Sequence, residues 1–464
     1  MLLRLGAALA AASLCWAQAA PPGVQRALES INANALRAHV AFLASDLLEG
    51  RDSPSRGLDI AAEYIASRFR AAGLEPLGDD GYFQTMRWRS YAASPSLLIS
   101  ADGKPVPPGA IRTNFLEASV EGAPVDEHAE TAGGRIVRME FTSGAAFTER
   151  ITAWQKSPPA AVVVLDENDR LAQLFKPTLL VDPEKGRAAK VPVFAVHEPG
   201  VVRDLRAAAS IRIEAGPAEA RESAIRNVVG VLRGSHPELS KQAVVVSAHY
   251  DHEGMRETGE DRILNGANDN ASGAAVVLET ARALAELPIR PARSVIFIAF
   301  AAEEKGLLGS SYYVRHPLWP LKDTAANINF EMFGRTAPGD YSKAGQMTLT
   351  GAGYSSVTAA VRSASEALGL RFFVHPEGND EFFARSDNFP FAQAGVPAHT
   401  MAPGFVFDDY HQPGDEWPKL DYENFERAAR AAALAVYMVA NEDAAPKWDL
   451  TNVKGARYAN GGQR

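Results

Sequence analysis

One cysteine in 464 residues is the sharpest absence in this sequence. It is Cys15, inside a short apolar leader, so the rest of the chain has no thiol. Disulfides and thiolate ligands are excluded, and any metal must be held by His, Asp and Glu. An excess of positive charge is also missing. The 47 Lys and Arg residues are mixed along the chain with 56 Asp and Glu, for a formal charge of -9. That leaves no phosphate-binding footprint and removes nucleic acid as a partner. Long apolar runs are absent too: Leu5 to Trp16 falls short of the roughly 20 residues a membrane span needs, and nothing later is longer. With Arg4 before it and Ala17-Gln-Ala19 after it, that run has the charge, core and small-residue cleavage site of a secretory signal over residues 1–19. The product is expected to be secreted or periplasmic, without a membrane span. Leu14 before Cys15 is too large for lipoprotein processing, so a lipid anchor is not expected.

The length exceeds what one hydrophobic core organises, and 46% hydrophobic residues suffice for two. Residues 20–81 read as α-rich, with helices over 25–44 and 58–72, the second stopped by Gly73. Over residues 82–224 short β-type runs, 96–100, 160–165 and 191–196, alternate with Pro, Gly and charged loops, which predicts an inserted β-rich domain. Over residues 225–446 strands and helices alternate, with strands at 228–232, 243–247, 294–300, 326–330, 347–350 and 397–401. The fold class is therefore α/β, a mostly parallel mixed sheet with helices on both faces, whose ligands gather at the carboxyl ends of strands. Residues 447–464 read as a polar, loosely held tail.

Chemistry concentrates at those strand ends. Glu303 and Glu304 close the apolar strand 294–300, where two adjacent buried like charges are costly unless cations compensate them. A solvated acidic helix start is the plainer reading of the pair taken alone. Adjacent residues project in different directions, so one carboxylate ligates while the other faces a water as general base. His249 and Asp251, two apart on an extended backbone, point to the same side, and one can ligate while the other orients it. Asp269, in Gly266-Ala-Asn-Asp-Asn-Ala-Ser-Gly273 before a helix, is placed to bridge two cations, with Asn270 or Ser272 as the cap. The glycosylation pattern Asn270-Ala-Ser272 is coincidental in a segment expected to be buried around metal. Glu331 closes another strand, and His411 follows a loop with Phe405, Phe407 and Tyr410. Five ligands result: Asp269 shared, His249 and Glu331 on one ion, Glu304 and His411 on the other. Three carboxylate charges then oppose four positive ones, which favours an ionised, attacking water between two zinc ions per chain.

These motifs resemble the M28 family of metallopeptidases, which includes bacterial leucyl aminopeptidases, aminopeptidase Y and glutamate carboxypeptidase II. The likeness runs through Phe42 to Arg51, His249-Tyr-Asp251, the loop from Gly266 to Gly273, Glu303-Glu-Lys-Gly-Leu-Leu-Gly-Ser310, Ser386-Asp387 and Asp409-Tyr-His-Gln-Pro-Gly-Asp415. In the insertion, 160–166 and 191–196 look like the protease-associated (PA) domain of many members. The resemblance implies that His249, Asp269, Glu304, Glu331 and His411 bind zinc, that Glu303 is the base, and that Asp251 orients His249. It further implies that Tyr410 donates to the oxyanion. Many members have aspartate where this chain has Glu331, which predicts a retained ion in altered geometry.

The expected function is a di-zinc exopeptidase, an aminopeptidase that removes apolar N-terminal residues from a peptide substrate through a hydroxide shared by the metals. Phe382, Phe383, Phe405 and Phe407 are candidates for the apolar first pocket. Carboxypeptidase action is an alternative, needing a clamp such as Arg385 or Arg335. Single-zinc glutaminyl cyclase chemistry is another, and a non-catalytic binding protein would have lost ligands. The chain is expected as a monomer or homodimer.

Overall fold

The computed structural model describes residues 21–92, 94, 96–129, 132–172, 174–175, 178–181, 190–256, 258–336, 344–376, 378–405, 407–459 and 461. The leader expected over residues 1–19, including Cys15, lies outside the described residues. The valine-rich and isoleucine-rich runs of the sequence become strands β1 (Glu219–Leu232), β2 (Ala243–His249), β3 (Ser294–Phe300), β4 (Thr324–Phe330), β5 (Gln346–Leu349), β6 (Arg371–Phe372) and β7 (Ala398–Ala402). They lie side by side in the order β1-β3-β2-β4-β7-β5-β6. Neighbours β3, β2, β4 and β7 are parallel, while β1 and β5 run antiparallel to β3 and β7. Every residue of β2, β3 and β4 is buried. Parallel strands covered on both faces need apolar side chains on both, which is why these segments read as unbroken rather than alternating runs.

Helices α1 (Pro22–Ser30), α2 (Ala33–Leu43), α3 (Arg56–Ala71), α4 (Gly273–Ala285), α5 (Leu308–Arg315), α6 (Val357–Ala367), α7 (Asn388–Gln393) and α8 (Tyr422–Asn441) supply the cover. Alternate sheet residues Val245, Ile296, Ile298 and Phe300 pack with Tyr313 of α5 and Phe391 of α7. Phe297 points the other way, to Phe69 of α3 with ring centroids 6.4 Å apart, and α4 and α8 pack over β2 and on each other. The single helix expected over residues 25–44 is two. Asn32 ends the first and caps the second by accepting from the Ala35 N–H at 3.0 Å, an alternative to continued helix that Asn favours.

Two compact units divide the chain, one formed by residues up to Met86 and from Ile225, the other by Arg87–Ala224. The sequence reading places that second boundary at Tyr82. The second unit has a five-stranded and a four-stranded sheet, with helices Gly144–Trp154 and Pro199–Ala207. Its strands Leu98–Ala101, Ala161–Leu165 and Val193–Val196 coincide closely with the three β-type runs. The polar end of the chain is not loose where it is described. Trp448 is buried and donates its indole N–H to the Gly395 carbonyl at 2.8 Å, and Tyr458 packs on Phe383 and Trp448. Two aromatic anchors outweigh the polar, Gly-rich composition around them. No helix among the described residues is long and apolar enough to cross a membrane.

Candidate metal centre

Parallel strands deliver their carboxyl ends to one edge, and the acidic residues follow them there. His249 is the last residue of β2, Glu303 and Glu304 lie just beyond β3, Glu331 follows β4, and Asp269 precedes α4. His411 arrives on the loop after β7. His249 Nε2 lies 3.0 Å from Glu331 Oε1 and 3.3 Å from Asp269 Oδ1. His411 Nε2 lies 3.1 Å from Asp269 Oδ2 and 3.3 Å from Glu304 Oε1. The two Asp269 oxygens therefore face different histidines. A tetrahedral ion with bonds of ~2.0–2.1 Å has donor atoms ~3.3–3.4 Å apart, so each histidine stands from its two carboxylates at about the spacing of donors that share one ion. All donors are oxygen or imidazole nitrogen, a set that suits zinc.

Hydrogen bonds fix the loops that carry these groups. Asp415 accepts from the backbone N–H of Asn268 and Asp269 at 3.0 Å each, holding the turn before α4. Asn268 accepts from the N–H groups of Gly334 and Arg335, tying this turn to the segment after Glu331. Asn270 caps α4 at Gly273, whereas Ser272 donates to the Asn268 carbonyl and accepts from Phe333. The buried guanidinium of Arg51 donates to the carbonyls of Leu43, Tyr250, Asn265 and Gly266, crosslinking the N-terminal segment to the loops that follow β2 and precede α4. Gly266, at φ 58°, has no room for a side chain: a Cβ would meet the Asp269 carbonyl oxygen at 2.3 Å and the His252 ring at 2.5 Å.

Asp251, expected to orient His249, lies beside that ring and also serves a second task. Its carboxylate comes no closer to His249 Nδ1 than 3.6 Å, beyond a normal hydrogen bond, while the Asp251 main-chain carbonyl is at 3.2 Å. The carboxylate also accepts from the N–H of Glu303 at 3.1 Å, the N–H of Glu304 at 3.4 Å and the Ser53 hydroxyl at 3.3 Å. It holds the tandem glutamates.

Crowded acids and imidazoles shift each other strongly. Burial pushes the Glu303 carboxyl well above its ordinary value, and the charges of Glu304 and Glu331 add to this against His249. Burial also raises Glu331. Burial acts the same way on Asp269 and Glu304, but their contacts to histidine prevail and both are lowered. His411 is driven up to about 10 because Asp269 and Glu304 outweigh the burial that would lower it. Cations placed between these groups would compensate the same crowded charge.

One member of the cluster was missed by sequence reasoning. His252 is fully buried, and its Nδ1 meets Glu304 Oε1 at 2.9 Å. With Asp269, Glu304 and His411 it forms a group whose ligand atoms lie within 4.8 Å of one another. The signal was its position next to Asp251, which a reading of alternate residues discards because neighbours on a strand face opposite sides.

A cleft of about 730 Å3 opens on these groups. Of the four candidate pocket phenylalanines, Phe382, Phe405 and Phe407 line it, and Leu307, Met332 and Phe389 join them. Phe383 does not: it is buried against Tyr354 and Tyr458. Tyr410 lines the cleft with its ring stacked on His411 at 3.9 Å between centroids. Arg385 lines it too, over the Phe382 ring, whereas Arg335 is paired with Asp409 at 2.9 Å.

Residues 227–436 match peptidase family M28. Aminopeptidase YwaD of Bacillus subtilis (strain 168) is 28% identical over 369 residues, 72% of this chain and 73% of that protein. Among solved structures, the aminopeptidase from Aneurinibacillus sp. strain AM-1 superposes with a TM-score of 0.63 at 20% identity, covering 92% of this chain and 97% of the other. BSAP, a zinc aminopeptidase from Bacillus subtilis, does so with a TM-score of 0.63 at 21% identity over 91% and 97%. At such identities the structures speak for the fold alone. The stretch that matches peptidase family M28, residues 227–436, contains every side chain of the cluster.

Proposed function

We propose that this protein is an exported zinc aminopeptidase that uses two ions per chain and prefers apolar N-terminal residues. The observation that carries this reading is Asp269 presenting one oxygen to His249 and the other to His411, at 3.3 and 3.1 Å. His249, Asp269 and Glu331 would hold one ion, and Asp269, Glu304 and His411 the other. When bound, zinc polarises the scissile carbonyl and acidifies a water. The chain's own residues do the rest. Glu303, with proton affinity raised by burial and its acidic neighbours, takes a proton from the attacking water and delivers it to the leaving amine nitrogen. The Tyr410 phenol, fixed by stacking on His411, donates to the carbonyl oxygen as negative charge develops on it. The apolar wall of Met332, Phe382, Phe405 and Phe407 receives the first side chain and excludes water.

Export rests on the charge, core and cleavage pattern of residues 1–19, and the two-sheet insertion is proposed to be a PA domain. Arg385 in the cleft favours a second reading, carboxypeptidase action with this cation on the substrate carboxylate. Aminoacyl amides and N-blocked peptides with free C-termini decide between them. Cleavage of free-amine substrates only, fastest for Leu or Phe, is the expected result. Release of C-terminal residues from N-blocked peptides would replace it with the second reading, and pyroglutamate formation with one zinc would replace both.

His252 gives a further expectation. Replacing it by Ala removes the support of Glu304, and zinc retention under chelator challenge should fall by about 10–100-fold. Retention equal to wild type would leave His252 a packing residue only.

A further inference from the structure

Phe382, Ala384, Arg385 and Phe389 form one wall of the cleft, and behind that wall stand residues 448–458. This segment lies past residue 436, where the match to the family ends. The Tyr458 ring packs on Phe383 with centroids 5.3 Å apart and meets Phe389 edge-on at 6.5 Å. Phe383 in turn packs on Phe389 and Tyr354. An aromatic layer thus runs from the C-terminal segment to a ring that lines the cleft. A polar tie joins the same parts of the chain just upstream. Asp380, in the turn Gly378–Glu381 that leads into Phe382, accepts from Lys454 Nζ and from the Tyr354 hydroxyl. The Asp449 N–H donates to the Tyr354 carbonyl at 2.7 Å, and Gly455 comes so close that a Cβ would meet the same oxygen at 2.6 Å. With Trp448 bound to the Gly395 carbonyl after α7, the segment grips the wall both before and after its lining residues.

We propose that the C-terminal segment sets the specificity of the cleft without touching substrate. Tyr458 and Lys454 are positioning residues: the first holds Phe389 in place, and the second holds the turn that carries Phe382. The proposal rests on the reading of this cleft as the pocket for the first residue of a peptide. Close-packed rings transmit displacement because there is no free volume to absorb it. An apolar pocket discriminates by how well its wall fits the side chain, so a wall free to give loses its preference for a large side chain over a small one.

Steady-state kinetics on leucyl and alanyl amides test this for zinc-replete wild type, Tyr458→Ala, Tyr458→Phe and Lys454→Glu. In Tyr458→Ala the ratio of kcat/KM for leucine over alanine should fall by about 10-fold, the worth of one methylene in an apolar pocket. The change should appear as a higher KM for the leucyl substrate, with zinc content as in wild type. Tyr458→Phe keeps the ring and should keep the ratio. Lys454→Glu sets two carboxylates together at an exposed site and should lower the ratio by about 2–5-fold, the worth of an exposed ion pair. It decides the matter if Tyr458→Ala does not fold. A merely structural Tyr458 would lower Tm and leave the ratio untouched. An unchanged ratio in folded Tyr458→Ala, or in Lys454→Glu if the former does not fold, overturns the proposal alone. Wild type that hydrolyses neither amide, or both equally, overturns the reading of the pocket itself.

Discussion

Glu303→Gln should retain zinc at the wild-type level and lose turnover by about 10²–10⁴-fold, the span of a positioned general base. Gln matches Glu in size and keeps the backbone N–H that Glu303 gives to Asp251, so the tandem turn and Glu304 beside it stay in place. What disappears is a group able to accept a proton and hand it on. Loss should fall on kcat, with KM for an aminoacyl amide changing little, because the carboxylate matters when the proton moves. Metal content by atomic emission and a single kinetic titration are enough. Hydrolysis by the zinc-replete variant at the wild-type rate would remove Glu303 from the mechanism.

Asp269→Asn should weaken both ions together, by more than the roughly 10–100-fold that loss of an outer support costs. No other side chain has its oxygens apportioned between His249 and His411 among the described residues. Asn keeps the shape and replaces one oxygen by a nitrogen that cannot ligate, while removing the charge that offsets two cations. Wild type in zinc at about 1,000 times Kd gains about 4 kcal/mol of stability by mass action, and a chelator should reverse that gain as a fall in Tm. The variant should show no zinc-dependent Tm shift at concentrations that saturate wild type. A variant that still binds one ion at wild-type affinity would mean that the two ions do not share this residue.

How legible the centre was depends on what each residue had to say alone. Glu303 and Glu304 were readable because two like charges at the exit of an apolar strand are conspicuous against the cost of burying them. β2, β3 and β4 were readable because strands covered on both faces carry unbroken apolar runs. His252 was not legible because a residue next to Asp251 on an extended backbone is expected to face the opposite side. Asp415 and Arg51 were quoted within motifs but given no task, because their work is done on main-chain groups, which every residue carries and no sequence distinguishes. Trp448 and Tyr458 show the opposite error, where polar, Gly-rich surroundings hid two anchoring rings.

From the sequence alone came the chemical type of the centre: without thiols after residue 15 it must be built from imidazole and carboxylate, and its acids must stand at strand ends. Periodicity and composition are local properties, and these conclusions needed nothing more. Only the tertiary structure decided which oxygen faces which histidine, that the Asp251 carboxylate accepts from the N–H groups of Glu303 and Glu304, and that Phe383 packs in the core while Phe382 lines the cleft. Such choices turn on differences of a few tenths of an ångström between groups as far apart in sequence as Asp269 and His411, and those distances exist only once the strands are aligned.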